Sequence, residues 1–251
     1  MKTTWKDFLA PLSLVILLFV LWEWIARLIG MTFILPSPIQ VLGKLWEIKG
    51  ILFLVHFPAT LLVIVTGLFI SVVLGVGLAV WMRASRIAEK TFYPLMISSQ
   101  TIPIIALAPI FVLWFGYSLW SKVAVTILIT FFPIAVNTFD GLRSSSREFK
   151  DLLLTMGATK KDLFLKLYVP SAIPHFYSGL KVAVTLSVIG AAIGEWLGAQ
   201  AGLGYFSRRM MTQFDGAGVF APIVILSFIG ISLFLGVTLL EKITLKWRET
   251  E

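Results

Sequence analysis

The 251-residue chain has no cysteine, only two histidines, and just 14% Asp, Glu, Lys and Arg. Missing thiols exclude disulfides, thiol nucleophiles and cysteine-held zinc or iron–sulfur centres. His56 and His175 stand far apart and in no metal-ligand spacing, so no resident metal or cofactor is expected in the chain. No GxxxxGK[ST] segment occurs, and with it goes the Walker loop that would cradle ATP phosphates. HExxH and GxSxG are missing too, as are the paired His/Asp clusters of an intramembrane hydrolase. Nor is there the arginine ladder of a voltage sensor or a carbonyl-filter signature. These absences count against an enzyme and against a channel.

What is abundant is apolar surface. Hydrophobic residues make up 58% of the chain where a soluble domain has ~45–50%, and the mean hydropathy is +0.94. A membrane-crossing helix needs ~20 apolar residues, because each rises ~1.5 Å through a hydrocarbon layer ~30 Å thick. Six stretches qualify, at about 8–29, 57–82, 92–115, 123–139, 179–197 and 219–240. The expected fold is an all-α membrane protein, one transmembrane domain over 1–251. Pro133 interrupts the fourth stretch and Glu195 lies near the end of the fifth. The first stretch follows Lys2 and Lys6, but its apolar run exceeds the ~7–15 residues of a signal peptide and no small-x-small site follows, so it is read as a retained span.

Six spans put both termini on one side. Arg27, Lys44, Lys49, Lys122, Arg208 and Arg209 then fall on the opposite side, and the rest of the 21 Lys and Arg residues fall on the side of the termini. The positive-inside bias places both termini in the cytoplasm. The net charge of +8 is thereby read as orientation and contact with anionic lipid or a cytoplasmic partner, not as a nucleic-acid surface. Trp5, Trp22, Trp24, Trp81, Trp114, Trp196 and Trp247 sit at or near the span ends, where an amphipathic ring suits the headgroup region.

Three segments stand out. The longest cytoplasmic one runs over 141–178. In it Phe149, Leu152, Leu153 and Met156 recur at helical spacing, Gly157 interrupts, and Leu163, Phe164 and Leu167 resume before Pro170 and Pro174 stop the period. This predicts two short amphipathic helices joined at a glycine, with an apolar face that must be covered by the bundle, by lipid headgroups or by another protein. The second segment is the polar run Ser98, Ser99, Gln100, Thr101 in the third span, followed by Pro103 and Pro109. Backbone freed by proline at that depth is satisfied only inside protein or along a watered cavity, so the run either packs helices together or lines a route. The third is GEWLGAQAGLGY from Gly194 onwards, whose glycines predict an irregular folded-in loop. Glu195 in it is either a functional carboxylate or one capped by backbone or paired with Arg208 or Arg209.

The cytoplasmic segment resembles the signature of binding-protein-dependent ABC importer permeases, written EAA, three residues, G, nine residues, I, one residue, LP. Asp151-Leu152-Leu153 stands at EAA, Gly157 at the glycine, Leu167 at the isoleucine and Val169-Pro170 at LP. Aspartate replaces the glutamate and leucines replace both alanines. LPSPIQV (35–41), QTIPIIALAPIFVLWFG and GEWLGAQAGLGY are similar to the subfamily that handles aliphatic sulfonates, taurine, nitrate and thiamine-precursor pyrimidines. The resemblance implies the type I importer permease architecture: six spans in the bacterial plasma membrane and a cytoplasmic coupling helix. It also implies a second copy of the chain, two cytoplasmic ATP-binding subunits that hold MgATP, and an extracytoplasmic substrate-binding protein. The coupling residues would be Asp151, Gly157, Ala158, Leu163, Phe164 and Pro170, with Gly157 permitting the turn and Leu163 and Phe164 as apolar knobs. For the route, along the two-fold axis, the candidates are Ser99, Gln100, Thr101, Asn137 and Glu195, with Phe131 and Phe132 able to stack on a flat heterocycle.

Two other classes fit parts of the sequence. An ion-gradient-driven carrier would need intramembrane ionisable groups or an internal repeat, and a non-transporting scaffold would leave the polar third span without a task. Co-purification with an ATPase separates the importer from the carrier, and uptake separates it from the scaffold.

Overall fold

Long apolar runs leave the backbone no partner but itself, and the computed structural model is accordingly helical. It describes residues 5–246, and there is no strand among them. Lys2, Trp247 and Arg248, used in the charge and tryptophan maps, lie outside the described residues. The helices are α1 (Trp5–Ile29), α2 (Pro38–Ile51), α3 (Phe57–Ala84), α4 (Arg86–Ser99), α5 (Ile104–Phe115) and α6 (Leu119–Arg143), then α7 (Arg147–Thr155), α8 (Lys160–Leu163), α9 (Val169–Gly198), α10 (Leu203–Thr212) and α11 (Gly216–Thr244). Five helical stretches are long and apolar enough to cross a membrane, and six if α4 and α5 are one bent crossing.

The core is built on α3, α6 and α9, and small residues make it possible. On α3, Gly67, Ser71, Gly75 and Ala79 recur every four residues and are all buried; on α9, Gly179, Ala183, Ser187 and Ala191 do the same. In lipid, where apolar burial alone does not drive helices together, such stripes let backbones approach and dispersion take over. A Cβ at Gly67 would lie 2.6 Å from Thr126 Cγ2, and one at Gly179 2.5 Å from the Pro133 carbonyl oxygen. Inside the α3–α6 contact the Ser71 and Thr130 hydroxyls pair at 2.7 Å. One apolar cluster, including Val63, Ile64, Val188, Leu203, Phe206 and Ile225, joins this core to α10 and α11. A second, including Met82, Met96, Phe139 and Ala172, fills the end next to α7.

Two boundaries differ from the sequence expectation, and a π turn lies at each. The segment before Phe57 is helical from Pro38, and the helix after Gly157 does not stop at Pro170 and Pro174 but continues to Gly198. Each join is a five-residue π turn, Leu52–His56 and Phe164–Tyr168, set just before a proline, Pro58 or Pro170. Phe57 N–H donates to the Leu52 carbonyl and Val169 N–H to the Phe164 carbonyl, five residues back. The wider turn re-phases the ladder where proline would otherwise clash with the carbonyl four residues earlier.

Candidate functional site

The segment between α6 and α9 is assembled from local rules. Ser146 caps α7, accepting from Phe149 N–H at 3.2 Å. The helix ends in a Schellman motif: Gly157 N–H donates to the Leu154 carbonyl and Ala158 N–H to the Leu153 carbonyl, each at 3.0 Å. Gly157 holds φ +82, a left-handed conformation that glycine adopts at no steric cost. Thr159 and Asp162 then form a capping box that starts α8, and Lys166 reaches Asp162 at 2.8 Å. The chain thus turns sharply between two stiff pieces.

No residue of α7 is buried. Phe149, Leu152, Leu154 and Met156 are exposed, Met156 at 75%, and a cleft of about 620 Å³ bounded by Val80, Leu154, Phe164 and Tyr168 separates the segment from α3. Asp151 is exposed and Ala158 is half-buried. Leu163 behaves differently from the outward knob expected of it: it is 6% exposed, inside its own chain. Phe164 is half-buried and packs on the inner cluster around Phe139 and Ala172, and Pro170 is half-buried within the re-phased helix. Most of the outward apolar surface lies on α7 and at Met156 just past it, with Leu165 also exposed.

The third stretch, expected as one crossing over 92–115, is two helices at 102°, broken at Gln100–Pro103. Pro103 has no N–H to continue the ladder, and the turn closes with short-range bonds from Gln100 to Ile97, Thr101 to Ser98 and Ile102 to Ser99. Ser99, Gln100 and Thr101 all sit on this break and are exposed. Their hydroxyls turn back on their own helix, Ser99 Oγ to the Met96 carbonyl at 2.8 Å and Thr101 Oγ1 to the Ser98 carbonyl at 2.7 Å. Neither hydroxyl bonds to another helix among the described residues.

Asn137 and Glu195 lie elsewhere. Asn137 Nδ2 donates to the Pro133 carbonyl at 2.7 Å in α6, against Gly179 of α9. Phe131 and Phe132 pack on the inner cluster. Glu195 is fully buried at the far end of α9. Its Oε2 accepts from Gly204 N–H at 2.8 Å, at the start of α10, and among the described residues it has no ion pair with Arg208 or Arg209. The sequence reading missed His56 and Thr60, which meet this same loop, and the small-residue stripes; the latter were readable as a four-residue period.

A bundle of crossing helices with one broken crossing, a signature-bearing turn and an uncovered amphipathic helix defines a class. Residues 71–245 match the family of binding-protein-dependent transport system inner membrane components, and the chain belongs to that family: it is a multi-pass inner-membrane permease subunit of an ABC importer. Among its relatives, the formylaminopyrimidine transport permease protein of Halalkalibacterium halodurans is 58% identical over 243 residues, 97% of each chain. The riboflavin transport system permease protein of Chloroflexus aurantiacus is 33% identical over 246 residues, 97% of this chain and 91% of its own. A putative aliphatic sulfonates transport permease protein of Bacillus subtilis is 28% identical over 221 residues, 86% and 79% of the two chains.

Proposed function

We propose that the chain forms the membrane route of an ATP-driven importer for a substituted pyrimidine of the formylaminopyrimidine kind. The uncovered α7 face carries the assembly half of this reading. A nine-residue helix whose Phe149 and Leu152 project into solvent, with Met156 exposed just past its end, has no cover among the described residues, and a cytoplasmic ATP-binding subunit supplies one. The substrate half rests on the 58% identity to a formylaminopyrimidine permease, with a second heterocycle permease, for riboflavin, at 33% and the sulfonate relative lower at 28%.

The broken crossing supports a paired assembly. An exposed, irregular, polar backbone stretch is not stable against hydrocarbon and is tolerated only beside protein or water. A second copy facing the α4–α5 break across a two-fold axis supplies both, with Ser99, Gln100 and Thr101 lining the watered route and Asn137 and Glu195 holding helices in place. Both termini and α7 then lie in the cytoplasm, and the α9–α10 loop faces the substrate-binding protein.

MgATP bound between two partner subunits draws them together, and the α7 helices seated on them follow. The bundle is biased from inward-open to outward-open, the binding protein releases its ligand, and hydrolysis resets the pair. Driving such an equilibrium from 1:99 to 99:1 requires ~5.5 kcal/mol of differential affinity, so the link must be stiff, and the Schellman turn and the capping box make it so.

The test is purification from native membranes followed by uptake in proteoliposomes. Recovery with an ATPase and a second copy, and ATP-dependent accumulation of labelled formylaminopyrimidine in preference to taurine or nitrate, is the expected result. Recovery of the chain without an ATPase, or uptake driven by an ion gradient alone, contradicts it.

A further inference from the structure

At the end of α9 remote from α7, three consecutive backbone N–H groups are each taken by a side chain from a different part of the bundle. Gly202 N–H donates to His56 Nδ1 at 3.1 Å, Leu203 N–H to Thr60 Oγ1 at 2.8 Å, and Gly204 N–H to Glu195 Oε2 at 2.8 Å. The acceptors come from the π turn, from α3 and from α9, and all three are buried. The bonding is reciprocal, because Arg208 of α10 donates to the Trp196 carbonyl near the end of α9. Ser207 then bonds the Val219 carbonyl of α11 at 3.2 Å.

The fit is tight. Gly202 has φ +123, and a Cβ there would run into the Glu195 carboxyl, while one on Gly204 would meet the Ala192 carbonyl oxygen at 2.7 Å. His56 is further fixed by its ring contact with Phe206 at 5.0 Å. First-turn N–H groups have no partner within their own helix, so α10 depends on these three side chains for its placement. Its far end carries the exposed Met211 and Phe214, turned outward by a second Schellman motif in which Phe214 occupies the left-handed position at φ +55.

From Lys160 to Gly198 the chain is helical without a break, a rod of about 58 Å at 1.5 Å per residue. One end follows directly on the α7 turn and the other carries Glu195. We propose that Glu195, Thr60 and His56 are positioning residues for transport: they form the rigid joint that locks α10 to the α9 rod and α3, so that docking of the substrate-binding protein on the α10 end reaches the α7 end. This rests on the importer reading above. The joint takes no part in ATP chemistry and touches no substrate.

The experiment uses the complete complex in proteoliposomes, with its substrate-binding protein loaded with a formylaminopyrimidine, and compares ATPase activity with and without that protein. Thr60→Val keeps the shape and removes an acceptor, Glu195→Ala removes another, and Glu195→Gln keeps an oxygen facing Gly204. For Thr60→Val and Glu195→Ala, binding-protein stimulation should fall about tenfold, which corresponds to about 1.4 kcal/mol of coupling, with basal ATPase unchanged, and Glu195→Gln should retain most of the stimulation. Wild-type stimulation in Thr60→Val overturns the joint, as does equal loss in Glu195→Gln and Glu195→Ala. If Glu195→Ala does not assemble, Thr60→Val decides alone. An unaltered complex that shows no stimulation defeats the importer reading itself, a different result from a stimulated complex indifferent to these residues.

Discussion

At Gly67 a single methyl group decides how closely α3 and α6 approach. Thr126 leaves no room for it, with Cγ2 at 2.6 Å and Cβ at 2.8 Å from where it would stand. Gly67→Ala should cost about 1–3 kcal/mol, the usual range for overpacking, read as a lower midpoint of thermal unfolding in detergent. Gly157 is the opposite case, since a Cβ there meets nothing within 4 Å. Gly157→Ala should cost only the backbone term of about 1–2 kcal/mol for a left-handed residue. Gly157→Pro goes further, removing the N–H bonded to Leu154 and fixing φ on the wrong side, so it should abolish stimulated ATPase activity while the protein still inserts. The turn at Gly157 was legible from the glycine between two helical periods. The burial of Leu163 was not, because a leucine on an amphipathic segment reads alike whether it faces its own bundle or a partner.

Between elements, the prolines were the poorest guide. A proline stops an α-helical ladder, but at Pro58 and Pro170 a π turn shifts the ladder by one residue and the helix goes on. Nothing in composition distinguishes such a turn from a break. At Pro103 no π turn intervenes, and the chain does bend, by 102°. The division of the cytoplasmic segment into an outward α7 and an inward Leu163 makes a paired prediction. Leu152→Asp with Met156→Asp should leave membrane content unchanged and remove stimulation by the loaded binding protein. Leu163→Asp should instead reduce the amount of folded protein, since an unpaired charge would be placed at a buried site. Immunoblots of membranes alongside ATPase assays separate the two, and equal behaviour of both variants would count against the division.

For the molecule as a whole, the all-helical membrane fold and the signature segment could be read from hydropathy and spacing, because lipid imposes one rule on every backbone group, whereas the 102° bend in the third stretch could not. What could not be read is which surfaces the single chain leaves open. The long exposed apolar face of α1 and the exposed break at Ser99–Thr101 become visible only once the α3, α6 and α9 core is closed on itself. Because the chain has no cysteine, Gln100→Cys introduces a lone thiol. A short bifunctional reagent should join two copies through it in membranes if the break faces its counterpart, and monomer only would argue against the two-fold route.

The same background gives the most direct test of the account, whether α7 is covered by an ATP-binding subunit. Met156→Cys in inside-out vesicles should react readily with a thiol reagent when the chain is expressed alone and should be strongly protected when the ATPase subunits are present. Equal labelling with and without those subunits would contradict the account.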